Sequence, residues 1–266
     1  MFLPQNISVN SLHSELKVSR IGTGIKILDG ALPEGIPRNN MVMVVGEGGT
    51  GKSVFLLQLM FSRLSMGEPC IFVCFDDTPL AVEQNAIFFG WNIKEYVEKG
   101  MLKFLDCFSF RMNPDKTTIP KYVVYVENPR ELYQLTQILT GIMDDMEMHG
   151  RGCVFVDSLT ELISITEPAV AIETVKTWRA ECAKERLVNL FATFHFGIKP
   201  YDDFEQILEY VVDGIIDLRY NPILMQQGLL VKQFRVRKMK GSPHITKWFT
   251  FHITRNGIEA AEESSH

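Results

Sequence analysis

The chain has 266 residues, 46% of them hydrophobic and 22% charged, with a formal net charge of −5 at neutral pH. That is enough chain for one large domain with a substantial core, and the balance is that of a soluble globular protein rather than a disordered or fibrous one. The acidic balance argues against a dedicated duplex-DNA binder and leaves room only for a local basic patch.

Residues 1–17 read as an N-terminal extension, 18–258 as a single domain and 259–266 as a polar tail. The start, Met1–Asn6, carries neither a basic nor an apolar leader segment, so a cytoplasmic location is expected. No apolar run approaches the ~18 residues of a membrane span. Met41–Val45 predicts a fully buried strand and Val54–Met60 a core helix. Between them runs Gly46-Glu47-Gly48-Gly49-Thr50-Gly51-Lys52-Ser53, a complete G-x-x-x-x-G-K-[ST] loop. Its glycines let backbone N–H groups turn inward around an oxyanion, Lys52 reaches the outer phosphates, and Ser53 offers its hydroxyl to Mg²⁺. The start of the helix directs its positive dipole end at the same charge. Strand, glycine loop and helix together form the setting that separates a nucleotide site from a chance glycine-rich turn.

Cys70–Phe75 predicts the next buried strand, followed by a helix from Pro79 with Val82, Ala86 and Phe89 on one face, ending at Gly90. Leu102–Leu105 reads as a short strand, and 108–128, lacking periodicity, as a long and partly disordered excursion. From Pro129 a helix is marked by Leu132, Leu135, Leu139, Ile142 and Met146. Cys153–Asp157 is a buried strand ending in a carboxylate, and the helix after it is expected to bury Val170, Val175, Trp178 and Cys182. Val188–Phe194 is the next strand. Gly214–Arg219 and Leu229–Val236 read as antiparallel partners, and Phe249–Thr254 closes the sheet. The alternation implies an α/β fold with a mostly parallel central sheet, flanking helices and antiparallel C-terminal strands. The five scattered cysteines suit buried thiols in a reducing compartment better than disulfides or a zinc site.

Three groups of residues carry candidate chemistry. Asp157, at the end of its strand, can hold Mg²⁺ opposite Ser53; alone it could equally be a helix cap. Asp76 and Asp77 can orient and deprotonate an attacking water, but Asp-Asp-Thr-Pro also makes a good strand-to-helix turn. Lys238 and Lys240 project to one side if they lie in a strand and, with His244, can meet phosphate charge; the alternative is a solvated edge that discourages aggregation.

With these motifs in order, the chain resembles the single-domain KaiC-like ATPases of the RecA superfamily, a group related to archaeal RadA paralogues and the archaellum ATPase. The resemblance runs from about Val18 to Glu262. It is carried by Ser19–Asp29, Leu32–Arg38, the glycine loop, Phe75–Pro79, Phe89-Gly90-Trp91, Val156–Thr160 and Lys238–His244. It implies a RecA-like fold, ATP and Mg²⁺ as ligands, and an active site between neighbouring subunits of a self-associated, hexameric ring. Lys238, Lys240 and His244 match positions that act on the neighbour's ATP, and Thr193 matches a sensor-like position on the γ-phosphate side. Two departures stand out. Asp76-Asp77 replaces a usual pair of glutamates, and a misplacement of about 1 Å can cost ~100-fold in rate. Lys240 replaces an arginine and loses its planar fork. The expected function is therefore a slow Mg-dependent ATPase acting as a regulatory or assembly factor, with its protein partner unnamed. The alternatives are a recombination accessory resembling RadA paralogues and a non-hydrolysing nucleotide-sensing scaffold. The segments in the place of DNA-binding loops carry Glu161, Glu167 and Glu173, then Asp202, Asp203, Glu205 and Glu209, so nucleic-acid binding is expected to be weak. Arg111, Lys116, Lys121, Arg235 and Arg237 are the basic residues that could compensate.

Overall fold

The computed structural model describes residues 19–261 apart from 198 and 200; the expected extension at 1–17 and the tail from 262 onward lie outside them. Its first strands are short, β1 (Arg20–Ile21) pairing antiparallel with β2 (Ile36–Pro37) across helix α1 (Lys26–Ala31). β3 (Met41–Gly46) then leads through the glycine loop into α2 (Lys52–Ser65). β4 (Cys70–Cys74), α3 (Pro79–Phe88), α4 (Lys94–Glu98), β5 (Leu102–Asp106) and β6 (Val123–Tyr125) follow. Next come α5 (Leu132–Asp145), β7 (Cys153–Asp157), α6 (Leu159–Ser164), α7 (Pro168–Trp178), β8 (Asn189–His195) and α8 (Asp202–Val211). The chain closes with β9 (Gly214–Tyr220), α9 (Pro222–Gln226), β10 (Lys232–Met239), β11 (Phe249–Thr254) and β12 (Gly257–Ala260).

The large sheet is ten-stranded, in the order β12-β11-β10-β9-β3-β8-β7-β4-β5-β6. From β9 to β6 every neighbouring pair is parallel, and β10, β11 and β12 are added antiparallel, as the sequence pattern implies. β3 is central and buried along its whole length, which is why it reads as an unbroken apolar run. Its alternate side chains feed two cores. Val42 and Val44 meet Phe55, Leu56 and Leu59 of α2 on one face, while Met41 and Met43 belong with Leu135 of α5 and Trp178 of α7 on the other. Seen through its layers, the fold is helix, sheet, helix, and it gathers the carboxyl ends of β3, β4, β7 and β8 at one rim. That rim is where open parallel sheets bind ligands.

Several elements differ from expectation. The stretch 108–128 contains two short 3₁₀ turns and ends in β6, which pairs with β5 as an edge strand. Val170 is 51% exposed; Ala171, Thr174, Val175 and Trp178 supply the buried face of α7, one position out of phase with Val170. The helix then widens into a π-helical turn over Arg179–Glu185, keeping Cys182 buried. The acidic stretch from 202 is helix α8 rather than an open loop. Glu259 and Ala260, expected in the tail, lie in β12 and pair with His252 and Phe251.

Candidate nucleotide site

The glycine loop closes on itself through its own polar atoms. Lys52 Nζ donates to Gly46 O at 2.9 Å and Glu47 O at 2.8 Å, and Thr50 Oγ1 donates to Glu47 O at 2.8 Å. Gly49 (φ +77°) and Gly51 (φ +102°) adopt left-handed backbone; a Cβ on Gly49 would sit 2.7 Å from the Tyr220 hydroxyl, and one on Gly51 2.7 Å from Ile253 Cδ1. Side chains at those two positions would be strained and would collide with Tyr220 and Ile253, so the turn of the loop requires glycine there. Lys52 is 3% exposed, and burial brings its pKa down to about 8, opposed by the charges of Asp157, Asp76 and Glu47.

Opposite the loop, β7 delivers Asp157, which is 8% exposed. Burial and then the Asp76 charge raise its pKa; hydrogen bonds from Thr193 and Ser53 pull the other way. Thr193 is fully buried in β8 and donates its hydroxyl to Asp157 Oδ1. Ser53 and Asp157 thus meet as a hydroxyl and a carboxylate, the hard oxygen donors Mg²⁺ takes, and the residues present fit that ion.

The two adjacent aspartates part company. Asp76 is half-buried, accepts from Ser158 Oγ at 2.8 Å, and has its Oδ2 3.5 Å from His195 Nε2. The amides of Phe75 and Asp76 both donate to Asp157 O, at 2.7 and 3.0 Å, which ties the ends of β4 and β7 together. Asp77 is exposed, and its Oδ1 accepts from the Thr78 amide at 2.8 Å. Thr78 caps α3 by accepting from Ala81 N at 3.1 Å. A cavity of about 330 Å³ beside the loop is bounded by Ser53, Asp76, Asp77 and Asp157 together with Val54 and Leu57 of α2. Ser158 and His195 escaped the sequence reading. The one available signal was position, since each directly follows or ends a strand already marked by Asp157 or Thr193.

Lys238, Lys240 and His244 stand apart from this rim. β9 is parallel to β3, with Gly46 beside Leu218, while Met239 lies beside Gly214 at the other end of β9. The difference of four residues is roughly 13 Å along the strand, so Lys238 and Lys240 lie away from their own loop. Lys238 Nζ donates to Glu209 O at 2.7 Å and Val212 O at 2.8 Å, the C-terminal carbonyls of α8. Lys240 lies just beyond β10 and is exposed; its side chain has no hydrogen bond or ion pair among the described residues. Arg179 and Lys184 are near it, both paired with Asp213, which is 1% exposed. His244 Nδ1 lies 2.9 Å from Ser242 O.

The basic residues considered for nucleic acid are mostly neutralised internally. Arg111 pairs with Glu161 at 2.9 Å, Arg235 with Asp217 at 2.8 Å, and Arg237 with Glu205 at 2.6 Å and Asp217 at 2.9 Å; Lys116 pairs with Glu127.

A family described as "ATPase: KaiC" matches residues 21–265. A UPF0273 protein of Methanopyrus kandleri is 32% identical over 252 residues, spanning 93% of this chain and 94% of that protein. The circadian clock oscillator protein KaiC of Parasynechococcus marenigrum is 25% identical over 250 residues, spanning 92% of this chain and 45% of its own length. The crystal structure of a KaiC-like protein from Pyrococcus horikoshii superposes with a TM-score of 0.73 at 20% identity, covering 92% of this chain and all of that one, which supports the fold.

Proposed function

The chain belongs to the KaiC family of ATPases, and from that premise we propose that it binds ATP with Mg²⁺ in the Gly46–Ser53 loop, hydrolyses it slowly, and acts as a nucleotide-dependent regulatory or assembly ATPase. The observation that carries the reading is the meeting, at one rim, of Lys52, Ser53 and Asp157 with a half-buried carboxylate, Asp76, held by Ser158 and facing His195.

In this reading Lys52 leaves the carbonyls of Gly46 and Glu47 to hold the outer phosphates, and loop N–H groups surround them. Ser53 and Asp157 would hold Mg²⁺, which when bound neutralises phosphate charge. Thr193 fixes the Asp157 carboxylate through its hydroxyl. Asp76 orients the attacking water and accepts its proton, with Ser158 and His195 as positioning residues. Asp77, spent on the α3 turn, contributes less. Lys240, with His244 and Lys238 nearby, acts on the ATP of a neighbouring copy, consistent with its distance from its own loop, while the bonds of Lys238 to the end of α8 hold that segment in place. The slow rate follows from the short reach of an aspartate where about 1 Å matters ~100-fold.

Phosphate release from Mg-ATP, abolished by Lys52→Ala, tests the enzyme reading. ATP binding without release would instead favour the sensing scaffold. Salt-sensitive binding to single strands would favour the recombination accessory, a reading disfavoured by the internal pairing of Arg111, Arg235 and Arg237.

A further inference from the structure

A second cavity is larger than the one at the glycine loop. It has a volume of about 560 Å³, within the range of small-molecule sites, and lies on the opposite flank of α3, between that helix, α4 and the starts of β5 and β6. Ile87, Ile93, Val97, Leu102 and the Tyr122 ring supply apolar wall. Its polar groups are unequally matched. Of the two carboxylates, Glu83 accepts from the Tyr122 hydroxyl, and Glu98 lies 3.8 Å from Lys94. The other two lysines at the cavity, Lys103 and Lys121, have no ion-pair or hydrogen-bond partner for their side chains among the described residues. With three lysines (Lys94, Lys103, Lys121) against two glutamates (Glu83, Glu98), the site combines an apolar slot with an excess of one positive charge.

α3 connects this cavity to the nucleotide rim. Glu83 and Ile87 line the larger cavity, whereas Val82, Asn85 and Phe88 of the same helix line the smaller one that contains Ser53 and Asp157. The helix begins at the Asp76-Asp77-Thr78 turn, so a shift of α3 reaches the carboxylates directly. A ligand with different affinity for two positions of α3 would change nucleotide affinity by the same factor that nucleotide changes its own.

We infer that this cavity is an effector site for a small amphipathic anion, a flat apolar body carrying one carboxylate, sulfonate or phosphate, coupled through α3 to the nucleotide site. The inference rests on the proposed nucleotide site only for the coupling; occupancy is separate.

The probe is 8-anilinonaphthalene-1-sulfonate, which has this chemistry, titrated by fluorescence against the full chain without nucleotide. One saturable site per chain is expected, with affinity lowered about tenfold or more, equivalent to about 1.4 kcal/mol, by Val97→Trp, which fills the slot, and by Lys121→Glu, which reverses a charge. N-phenyl-1-naphthylamine, the same ring system without the sulfonate, should bind at least tenfold more weakly. Absence of saturable binding, equal affinity for the two probes, or unchanged affinity in both variants with melting temperatures preserved would overturn the site. For the coupling, saturating sulfonate probe should shift the ATP Kd at least threefold in the parent chain and not in Val97→Trp. Bound probe with an unshifted ATP Kd would overturn the effector role, and failure of ATP to bind with or without probe would count against the nucleotide reading while leaving occupancy standing.

Discussion

Asp76 accepts a hydrogen bond from Ser158 and faces His195, whereas Asp77 is exposed and accepts from the Thr78 amide. Neighbouring carboxylates thus sit in different environments. Asp76→Asn should lower ATP turnover by about 100-fold or more while leaving ATP affinity within a few-fold, and Asp77→Asn should lower it far less; a phosphate-release assay on both variants decides it, and equal losses would return Asp77 to the catalytic role. If short reach limits the rate, Asp76→Glu should raise kcat. Lys52 yields a pH signature of two opposite signs. Burial lowers its folded pKa to about 8 from 10.5, so the ammonium that attracts phosphate is present below about pH 8 and is lost above it. ATP affinity should fall as pH rises from 8 toward 10. Between those two values the unfolded chain binds more protons at this site than the folded one, so the same group makes stability increase with pH there. Titrating ATP affinity and denaturant midpoints over pH 7–10.5, with Lys52→Met as the reference that removes both trends, checks the assignment.

At the scale of elements, α8 is held to the antiparallel edge by β10. Lys238 donates to two carbonyls at the helix's C-terminal end, a favourable place for a cation, and Arg237 pairs with Glu205 and Glu209 on its flank. Lys238→Met should cost about 2 kcal/mol, lowering the melting temperature by roughly 4–8 °C, whereas Lys240→Met, removing an exposed and unpaired side chain, should leave it within about 1 °C. Calorimetry of the two variants separates a structural lysine from a purely functional one. Two strands absent from the sequence reading share a reason for being missed. β6 spans only Val123–Tyr125 and β12 only Gly257–Ala260, and both are edge strands stabilised by pairing with β5 and β11 rather than by their own propensity. Val170 lies at the margin of the stripe that α7 buries, Ala171, Thr174, Val175 and Trp178, which packs with the core on that face of the sheet.

Across the whole molecule, the sheet holds the glycine loop at one end and Lys240 at the other, so the complete site proposed above needs a second copy. Lys52→Ala and Lys240→Ala chains should each be nearly inactive alone and regain a measurable fraction of turnover when mixed, with Mg-ATP increasing the assembled fraction by light scattering. A chain that stays monomeric with unimpaired turnover in Lys240→Ala would remove the shared site. The glycine loop, its strand and its helix were legible in the sequence because their chemistry is contiguous: backbone N–H groups, Lys52 and Ser53 follow one another, and both flanks are apolar runs whose burial needs no further information. The parallel core and its antiparallel border were legible for the same reason, through local periodicity. The different surroundings of Asp76 and Asp77, the presence of Ser158 and His195 beside them, the attachment of Lys238 to α8 and the neutralisation of the arginines were decided only in three dimensions. Each depends on contacts between residues far apart in the chain, brought together when strands distant in sequence align in register, and one side chain's reactivity is set by partners that its own neighbours in sequence do not reveal.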